Sequence, residues 1–315
     1  MNGTKPQSQR DQNLKDRIAL WRDAFRDKRT GIHQTLDDLI WNYAVFRTAI
    51  RIVRLANEKR EDRPLVNQML FDMIQSGYWS GLLLGIRRLL DRGGIKGKQG
   101  VYSLRSVIKD IEACRPSITR RVYVEWVCDA RYDLEVLRQE QWESVQAAAR
   151  ERRASWGDPE LMKSEWAHGH FDFLSWTTEE NRSPEDLIDP TVFAKIEARL
   201  TALDGISDHV SSHVAHAGNK ESREGKDLEN FNILDAREAL KSLKQVADLV
   251  GVWFANEGGA GLAVYQGDQF EGLDQVTALA TATSEFDPGC LPVPRCPSSA
   301  APRSNAHPEL GWGYQ

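Results

Sequence analysis

The stretch that decides the fold is "IHQTLDDLIWNYAVFRTAIRIVRLANE", residues 32–58. Its apolar side chains recur at three- and four-residue steps, at Leu36, Leu39, Ile40, Tyr43, Phe46, Ile50 and Val53. This spacing places them on one face of an α-helix and does not fit the two-residue alternation of a half-buried strand. The stretch therefore predicts a long amphipathic helix that buries one face in a core.

The same period recurs along most of the 315-residue chain, and no convincing strand pattern interrupts it. It predicts further helices at 64–91, 103–113, 117–130, 134–154, 190–217 and 230–255. The segment 155–190, which holds three tryptophans, is predicted to be a long irregular connection. Residues 1–9 are polar, and 257–315 are rich in Gly, Pro, Ser and Ala, so we expect both to be disordered. The predicted fold is an all-α multi-helix bundle over 10–256 with a disordered C-terminal tail.

Three glycines recur every four residues in the second predicted helix, at Gly77, Gly81 and Gly85. Each costs roughly 1 kcal/mol of helix propensity relative to alanine. Close approach of another helix would offset that cost. The sequence leaves open whether this helix belongs to the same chain or to a second copy in a homodimer.

Composition narrows the class of protein. Apolar residues make up 41% of the chain and charged residues 28%, which is typical of a globular protein with a real core. The net charge is −5, yet residues 86–122 hold ten Lys or Arg against three acids, a possible phosphate-binding surface. The most apolar segment, "GLLLGIRRLL" at 81–90, is about half the length of a membrane span. We predict no membrane association and a cytoplasmic location.

Three of the seven histidines lie in "SDHVSSHVAHAGNK", residues 207–220. His209, His213 and His216 stand at i, i+4 and i+7, which places them on one helix face. The outer two are about 10 Å apart along the axis, so all three would reach one metal ion only by leaning inward. No H-E-x-x-H motif is present, and "HGH" at 168–170 is a weak metal signal. The four cysteines form no C-x-x-C pair. The prediction is therefore no metal and no cofactor.

His216 is the candidate for proton transfer. It lies near the predicted end of its helix, where the negative end of the helix dipole favours a protonated imidazole. Such a group can act as a general acid or stabilise a phosphate. A solvated histidine at a helix end is an equally good interpretation.

Two stretches give the chain a resemblance to a known family. One is "YWSGLLLGIRRLLDRGG…KGKQGVYSLRSVIKDI" at 78–111, and the other is "HVAHAGNK" at 213–220. The chain resembles the HEPN (higher eukaryote and prokaryote nucleotide-binding) superfamily, and most of all its abortive-infection AbiU-type branch. The resemblance implies an all-α bundle, frequently dimeric. It further implies RNA cleavage or binding, in phage defence or in a toxin–antitoxin system with a toxin or antitoxin partner.

The resemblance also implies a site with a phosphate-binding Arg, four to six residues and a His that handles the 2′-hydroxyl proton, without a metal. This chain departs from it. The positions that qualify before His216 are His209, Val210 and Ser211, and those before His213 are Ile206, Ser207 and Asp208. None is Arg. Either His209 replaces the cation, or Arg87 or Arg88 supplies it from another helix, where Arg87 and Asp91 are spaced to pair.

The remaining alternative is an inactive site. The chain would then be a non-catalytic interaction or antitoxin-like module, and a metal-dependent hydrolase is a third hypothesis. The leading prediction is an RNA-binding or RNA-cleaving protein, a metal-independent endoribonuclease with catalytic residues His216, His213, Arg87 and Arg88. Substrate contacts are predicted at Arg92, Lys96, Lys98, Asn219 and Lys220. Trp166 and Trp176 are the tryptophans predicted to stack on bases.

Overall fold

The computed structural model describes residues 7–58, 68–154, 156–214, 219–228 and 231–258. The chain divides into two units, residues 1–264 and 265–315, and the second unit lies outside the described residues. The helices are α1 Gln7–Arg26, α2 Ile32–Glu58, α3 Gln68–Leu89, α4 Leu104–Cys114, α5 Arg120–Val122, α6 Leu134–Arg150, α7 Pro159–Ser175, α8 Pro190–Thr201, α9 Asp204–His209, α10 Lys220–Arg223 and α11 Ile233–Val250. Single π-helical turns occupy Tyr123–Val127, Val210–Val214 and Gly251–Ala255, and 3₁₀ turns occupy Arg115–Ser117 and Glu179–Asn181.

The all-α prediction is confirmed. Within the described ranges no strand is present, and the only β-type pairing is an isolated bridge between Thr119 and Leu187. The decisive stretch forms α2 with its predicted bounds. Ser103 caps α4 through a reciprocal hydrogen-bonded capping box with Ser106, at the residue where the sequence predicts this helix to begin.

Several predicted bounds are wrong. Helix α1 begins at Gln7, inside the nine residues expected to be disordered. The single helix predicted at 117–130 is instead the three-residue α5 followed by the π-turn Tyr123–Val127. Helix α6 ends at Arg150 rather than 154. Residues 1–6, 64–67 and 259–315 lie outside the described residues, so the expected disorder of the tail stays a prediction.

The irregular connection predicted over 155–190 is wrong over nearly half of its length, because α7 occupies 17 of those residues. Asp158 caps the helix by accepting the backbone N–H of Glu160, and a proline fills the first helical position. Trp176, with φ 55°, ends it in the left-handed region. The buried face includes a serine and a histidine, so the sequence of α7 does not show the regular apolar spacing of an amphipathic helix.

The single helix predicted over 190–217 is also wrong, because it is broken into α8, α9 and the π-turn Val210–Val214. The break places the carboxylate of Asp204, the first residue of α9, between two guanidinium groups. Arg92 and Arg105 both bind it. Residues 215–217 lie outside the described residues. A tertiary contact, rather than Gly or Pro at the break itself, therefore sets where α8 ends.

The first helix links both ends of the described domain. Trp21 Nε1 donates to Asp110 Oδ2 of α4 at 2.8 Å, and Arg17 Nε donates to the same oxygen at 3.0 Å. Near the other end, a Cβ built on Gly251 would lie only 3.3 Å from the Phe25 ring, so this glycine permits close packing. Arg26 forms an ion pair with Glu257. Residues near 20 and near 255 thus share one part of the core.

The glycine ridge of α3 is divided between two environments. A Cβ at Gly85 would lie 2.5 Å from Leu39 Cδ2, whereas one at Gly77 or Gly81 would meet nothing within 4 Å. Intramolecular helix approach therefore explains Gly85 alone. The same helix exposes Met69, Met73 and Leu84.

We expect Gly81→Ala to raise the free energy of unfolding by about 0.5–1 kcal/mol, because alanine is the better helix former and finds free space. Gly85→Ala gains the same propensity but must displace the buried Leu39, which costs about 1–3 kcal/mol. Urea unfolding of the two variants beside the unmodified chain measures the difference. Equal stability of the two variants would contradict the close packing at Gly85.

Candidate functional site

The imidazole pair lies where α9 joins the π-turn Val210–Val214, with His209 at the end of α9 and His213 in the turn. The rings of His209 and His213 stack with centroids 4.3 Å apart and an interplanar angle of 12°. The shared helix face predicted for these two histidines is therefore confirmed. Single π-turns inside helices occur often at functional sites, because they alter which side chains coincide along the helix. His216 lies outside the described residues.

A hydrogen bond fixes the tautomer of the His209 ring. His209 Nδ1 lies 3.0 Å from the carbonyl oxygen of Lys226, which can only accept, so Nδ1 carries the proton. The neutral ring therefore holds its lone pair on Nε2. The Ser212 hydroxyl lies 2.9 Å from His213 Nδ1 and can donate to this nitrogen or accept from it, so it is the partner of Nδ1 in either tautomer.

An acidic residue missed by the sequence analysis joins the pair. Asp227 Oδ1 lies 2.9 Å from His213 Nε2. The His213 side chain is 17% exposed, whereas that of Asp227 is 64% exposed. Asp227 belongs to the connection after α10, and no motif or spacing in the sequence indicates that this connection folds over the π-turn.

A second feature of the π-turn is Ser211, which contacts Arg87. Arg87 Nε donates to Ser211 Oγ at 3.0 Å, and this hydroxyl donates to Ser207 O at 2.9 Å. No carboxylate pairs with Arg87 in the part of the chain that the structure describes. The pairing suggested for Arg87 and Asp91 is wrong, because Asp91 Oδ1 accepts the backbone N–H of Gly93 at 2.7 Å.

Arg88 does not reach this turn. Its Nη2 donates to the carbonyl oxygen of Thr30, in the connection between α1 and α2, at 2.9 Å. Of the two arginines predicted to supply the missing charge, the structure thus brings only Arg87 to the histidine-bearing segment. Ser211 is also one of the three positions at which the resemblance implies an Arg before His216.

The side chains of Ser211 and His213 lie on different sides of the turn. Residues two apart along a helix do not face each other. Arg87 therefore contacts one side, while His209, His213 and Asp227 form a cluster on another. The prediction that His213 shares a pocket with Arg87 is not supported by a described contact between them.

The residues predicted to bind substrate differ in their contacts and exposure. Arg92 is ion-paired with Asp204 at 2.7 Å. Lys96 and Lys98 are exposed in the glycine-rich loop after α3. Asn219 caps α10 by accepting the backbone N–H of Ser222 at 2.8 Å, and Lys220 is exposed beside it.

The basic run 86–122 does not form one continuous cationic surface. Arg105 is 5% exposed and bound to Asp204, and Arg120 is fully buried among hydrogen-bond acceptors. Arg115 donates to the carbonyl oxygen of Ile188 at 3.0 Å. Much of the positive charge therefore serves the fold rather than a ligand.

The "HGH" motif lies on α7 rather than in a loop, which corrects the sequence interpretation. His168 is buried with Nε2 2.9 Å from the carbonyl oxygen of Tyr132, and burial lowers its pKa. Burial likewise lowers the pKa of His170, whose ring lies 4.4 Å from that of Trp166. Trp166 and Trp176 are both exposed, and Lys195 Nζ lies 4.5 Å from the Trp176 ring centroid. Base stacking at these tryptophans stays a prediction.

The two described thiols are unsuited to nucleophilic or metal chemistry. Burial raises the pKa of Cys114 to about 11 and that of Cys128 to about 11. Both are therefore neutral near pH 7. Cys290 and Cys296 lie outside the described residues.

The all-helical architecture is the one that the resemblance to the HEPN class implies, and the structure brings Arg87 of α3 to the histidine-bearing segment. A family model for AbiU2, a HEPN family, matches residues 22–239, more than two thirds of the chain. The chain belongs to this AbiU2 HEPN family. No curated protein and no solved structure matches it. None of the described helices combines the length and apolar character required to cross a bilayer.

Proposed function

We propose that this protein is an abortive-infection RNA-binding protein that cleaves RNA without a metal, with Arg87 as the phosphate-binding cation and His216 as the proton-transfer group. The observation that carries the proposal is the hydrogen bond from Arg87 to Ser211. It brings a guanidinium group from α3 to a position where the HEPN pattern requires an Arg on the histidine-bearing segment itself.

The contact suits Arg87 to phosphate binding. Nε is anchored on a neutral hydroxyl, and the terminal nitrogens have no carboxylate partner within the described ranges. A planar guanidinium group can then bind two phosphate oxygens through parallel hydrogen bonds. By contrast, Arg92 and Arg105 already bind Asp204 and are poorly suited to the role.

In the proposed reaction, His216 removes the proton from a ribose 2′-hydroxyl. The 2′-oxygen bonds to the adjacent phosphorus while the bond from phosphorus to the 5′-oxygen breaks. The 5′-oxygen takes up a proton from water and leaves as a hydroxyl group, and a 2′,3′-cyclic phosphate remains. Arg87 stabilises the negative charge that develops on the phosphoryl oxygens, which is worth most where donors are already oriented.

Substitutions that remove the positive charge of Arg87 and return it at position 211 test this assignment. Arg87→Ala is expected to reduce RNA cleavage in EDTA by about 100-fold, the usual effect of removing one preorganised donor to a developing oxyanion. Arg88→Ala is the matched control, since Arg88 contacts the Thr30 carbonyl and is expected to keep activity. The double variant Arg87→Ala with Ser211→Arg returns a cation to the turn and is expected to recover part of the loss.

Two results would contradict the proposal. Equal activity of the Arg87→Ala variant and the unmodified chain would remove Arg87 from the site. Salt-sensitive RNA binding by the unmodified chain, with no cleavage at any enzyme concentration, would support the non-catalytic interaction module instead.

A further inference from the structure

The cluster of His209, His213 and Asp227 has the composition of a metal site. One ring nitrogen from each histidine and one carboxylate oxygen lie within 4.8 Å of one another. The three groups come from two separate segments, the α9/π-turn region and the connection after α10. Two imidazoles and a carboxylate are a ligand set that zinc and neighbouring transition metals accept.

The hydrogen bonds behind the rings match those of metal-bound histidines. Ligating histidines usually donate the distal N–H to a carbonyl or another acceptor, which fixes the tautomer and the ring orientation. Here Nδ1 of His209 donates to the Lys226 carbonyl, and Ser212 Oγ lies 2.9 Å from Nδ1 of His213, where it can accept the Nδ1 proton once a cation occupies Nε2. Both Nε2 atoms can therefore bind a cation while the distal nitrogens keep a partner.

The contact between His213 and Asp227 places a carboxylate oxygen 2.9 Å from His213 Nε2. In the neutral ring with its proton on Nε2 this contact is a hydrogen bond, and a bound metal ion would replace that proton between the two atoms. The second ring, stacked at 4.3 Å, provides a second donor atom that an imidazolium–carboxylate pair would not use.

We propose that His209 Nε2, His213 Nε2 and an oxygen of Asp227 bind one divalent transition metal ion of the zinc type. Tetrahedral coordination with bonds of about 2.0–2.1 Å needs donor atoms about 3.3 Å apart. Small side-chain rotations close the site from its present spacing of at most 4.8 Å. A fourth position is open to water, because Asp227 is largely exposed.

A bound ion would fasten the connection after α10 to the π-turn. This inference does not rest on the RNA activity, because the cluster and the Arg87 contact lie on different sides of the turn. Its experiment measures metal directly, so its failure would leave the proposed nuclease function untouched.

Isothermal titration of the EDTA-treated, dialysed, untagged full-length chain with ZnCl₂ tests the site. We expect one ion per chain, with affinity reduced at least about tenfold in Asp227→Asn and in His209→Ala. Glu224→Gln, an exposed acid of the same connection, is the matched control and is expected to bind as the unmodified chain does. Asp227→Asn preserves shape, and a circular dichroism spectrum confirms that each variant folds.

Three outcomes would overturn the proposal. The first is no zinc binding by the unmodified chain. The second is unchanged affinity in both Asp227→Asn and His209→Ala, which would place the ion on other residues, such as His216 or His307. The third is an equal loss of affinity in the Glu224→Gln control, which would indicate nonspecific attraction of the cation to an acidic loop.

Discussion

Arg120→Met is expected to lower the free energy of unfolding by about 3–5 kcal/mol, the usual cost of removing one partner from a buried ion pair. The Arg120 side chain is fully buried. Its Nε donates to Asp186 Oδ2 at 2.9 Å, and its Nη1 donates to Asp172 Oδ1 at 2.7 Å. It also donates to Thr177 and to the carbonyl oxygen of His168. Methionine keeps the apolar stem but removes the guanidinium charge, so Asp172 keeps only Arg182 and Asp186 keeps only the backbone N–H of Ser183 among these donors.

The pKa of Asp172 reflects both its burial and its contacts with arginines. Burial by itself would raise the pKa of this carboxyl, but hydrogen bonds from Arg182 and Arg120 outweigh burial and lower it. A lowered folded-state pKa contributes stability above the unfolded pKa, about 4, and this stability is lost as the pH falls through the folded value. The pH-dependent part of the stability should therefore be smaller in Arg120→Met.

Arg121→Met is the matched control at the next position. Arg121 is about half exposed, lies 3.7 Å from Glu125 and stacks over Tyr132, so its loss should cost about 1 kcal/mol or less. Urea unfolding followed by circular dichroism gives both quantities when it is carried out at pH 7 and at several pH values below about 4, where the folded Asp172 carboxyl takes up its proton. Similar losses in the two variants would show that Arg120 is not the centre of this network.

His216→Ala is expected to reduce RNA cleavage in EDTA by about 10²- to 10⁴-fold, the range contributed by a positioned general acid or base. Folding should be unaffected, since the change shortens a single polar side chain. Gel assays on a uniformly labelled RNA, together with far-ultraviolet circular dichroism, measure both effects. Glu221→Ala, an exposed residue of α10, is the control that should retain full activity.

His213→Ala separates the two roles suggested for the histidines. If His213 supports catalysis, the variant should lose less activity than His216→Ala. If it acts only with His209 and Asp227, it should lose zinc binding and keep cleavage in EDTA. Full cleavage by His216→Ala would show that His216 does not transfer the proton. His213 would then be the candidate for that step.

The fold was predictable where apolar periodicity and capping agree. In α2 the seven apolar positions recur without interruption, and in α4 Ser103 supplies the start signal. Helix α7 was missed because its buried face includes Ser164 and His168, whose burial depends on partners elsewhere in the chain. The break before α9 was missed because it depends on Asp204 meeting arginines distant in sequence.

The candidate site was predictable only in its local part. A spacing of four residues suffices to place His209 beside His213. The positive charges of Arg87 and Arg88 made the two arginines equal candidates for the phosphate-binding cation. Choosing between these arginines required their helix orientation, which Ser211 and Thr30 reveal. Asp227 gave no signal, because a lone acid in a polar connection is ordinary until the chain path is known.

The contacts of the first helix bear on how this protein is best produced in the laboratory. The AbiU2 family model matches residues 22–239, and a recombinant fragment trimmed to those limits would lack Arg17, Trp21 and the Gly251–Ala255 turn. Asp110 would lose its hydrogen bonds from Arg17 and Trp21, and Phe25 would be exposed to water. Such a fragment should aggregate, so a recombinant protein needs to extend beyond the family match at both ends.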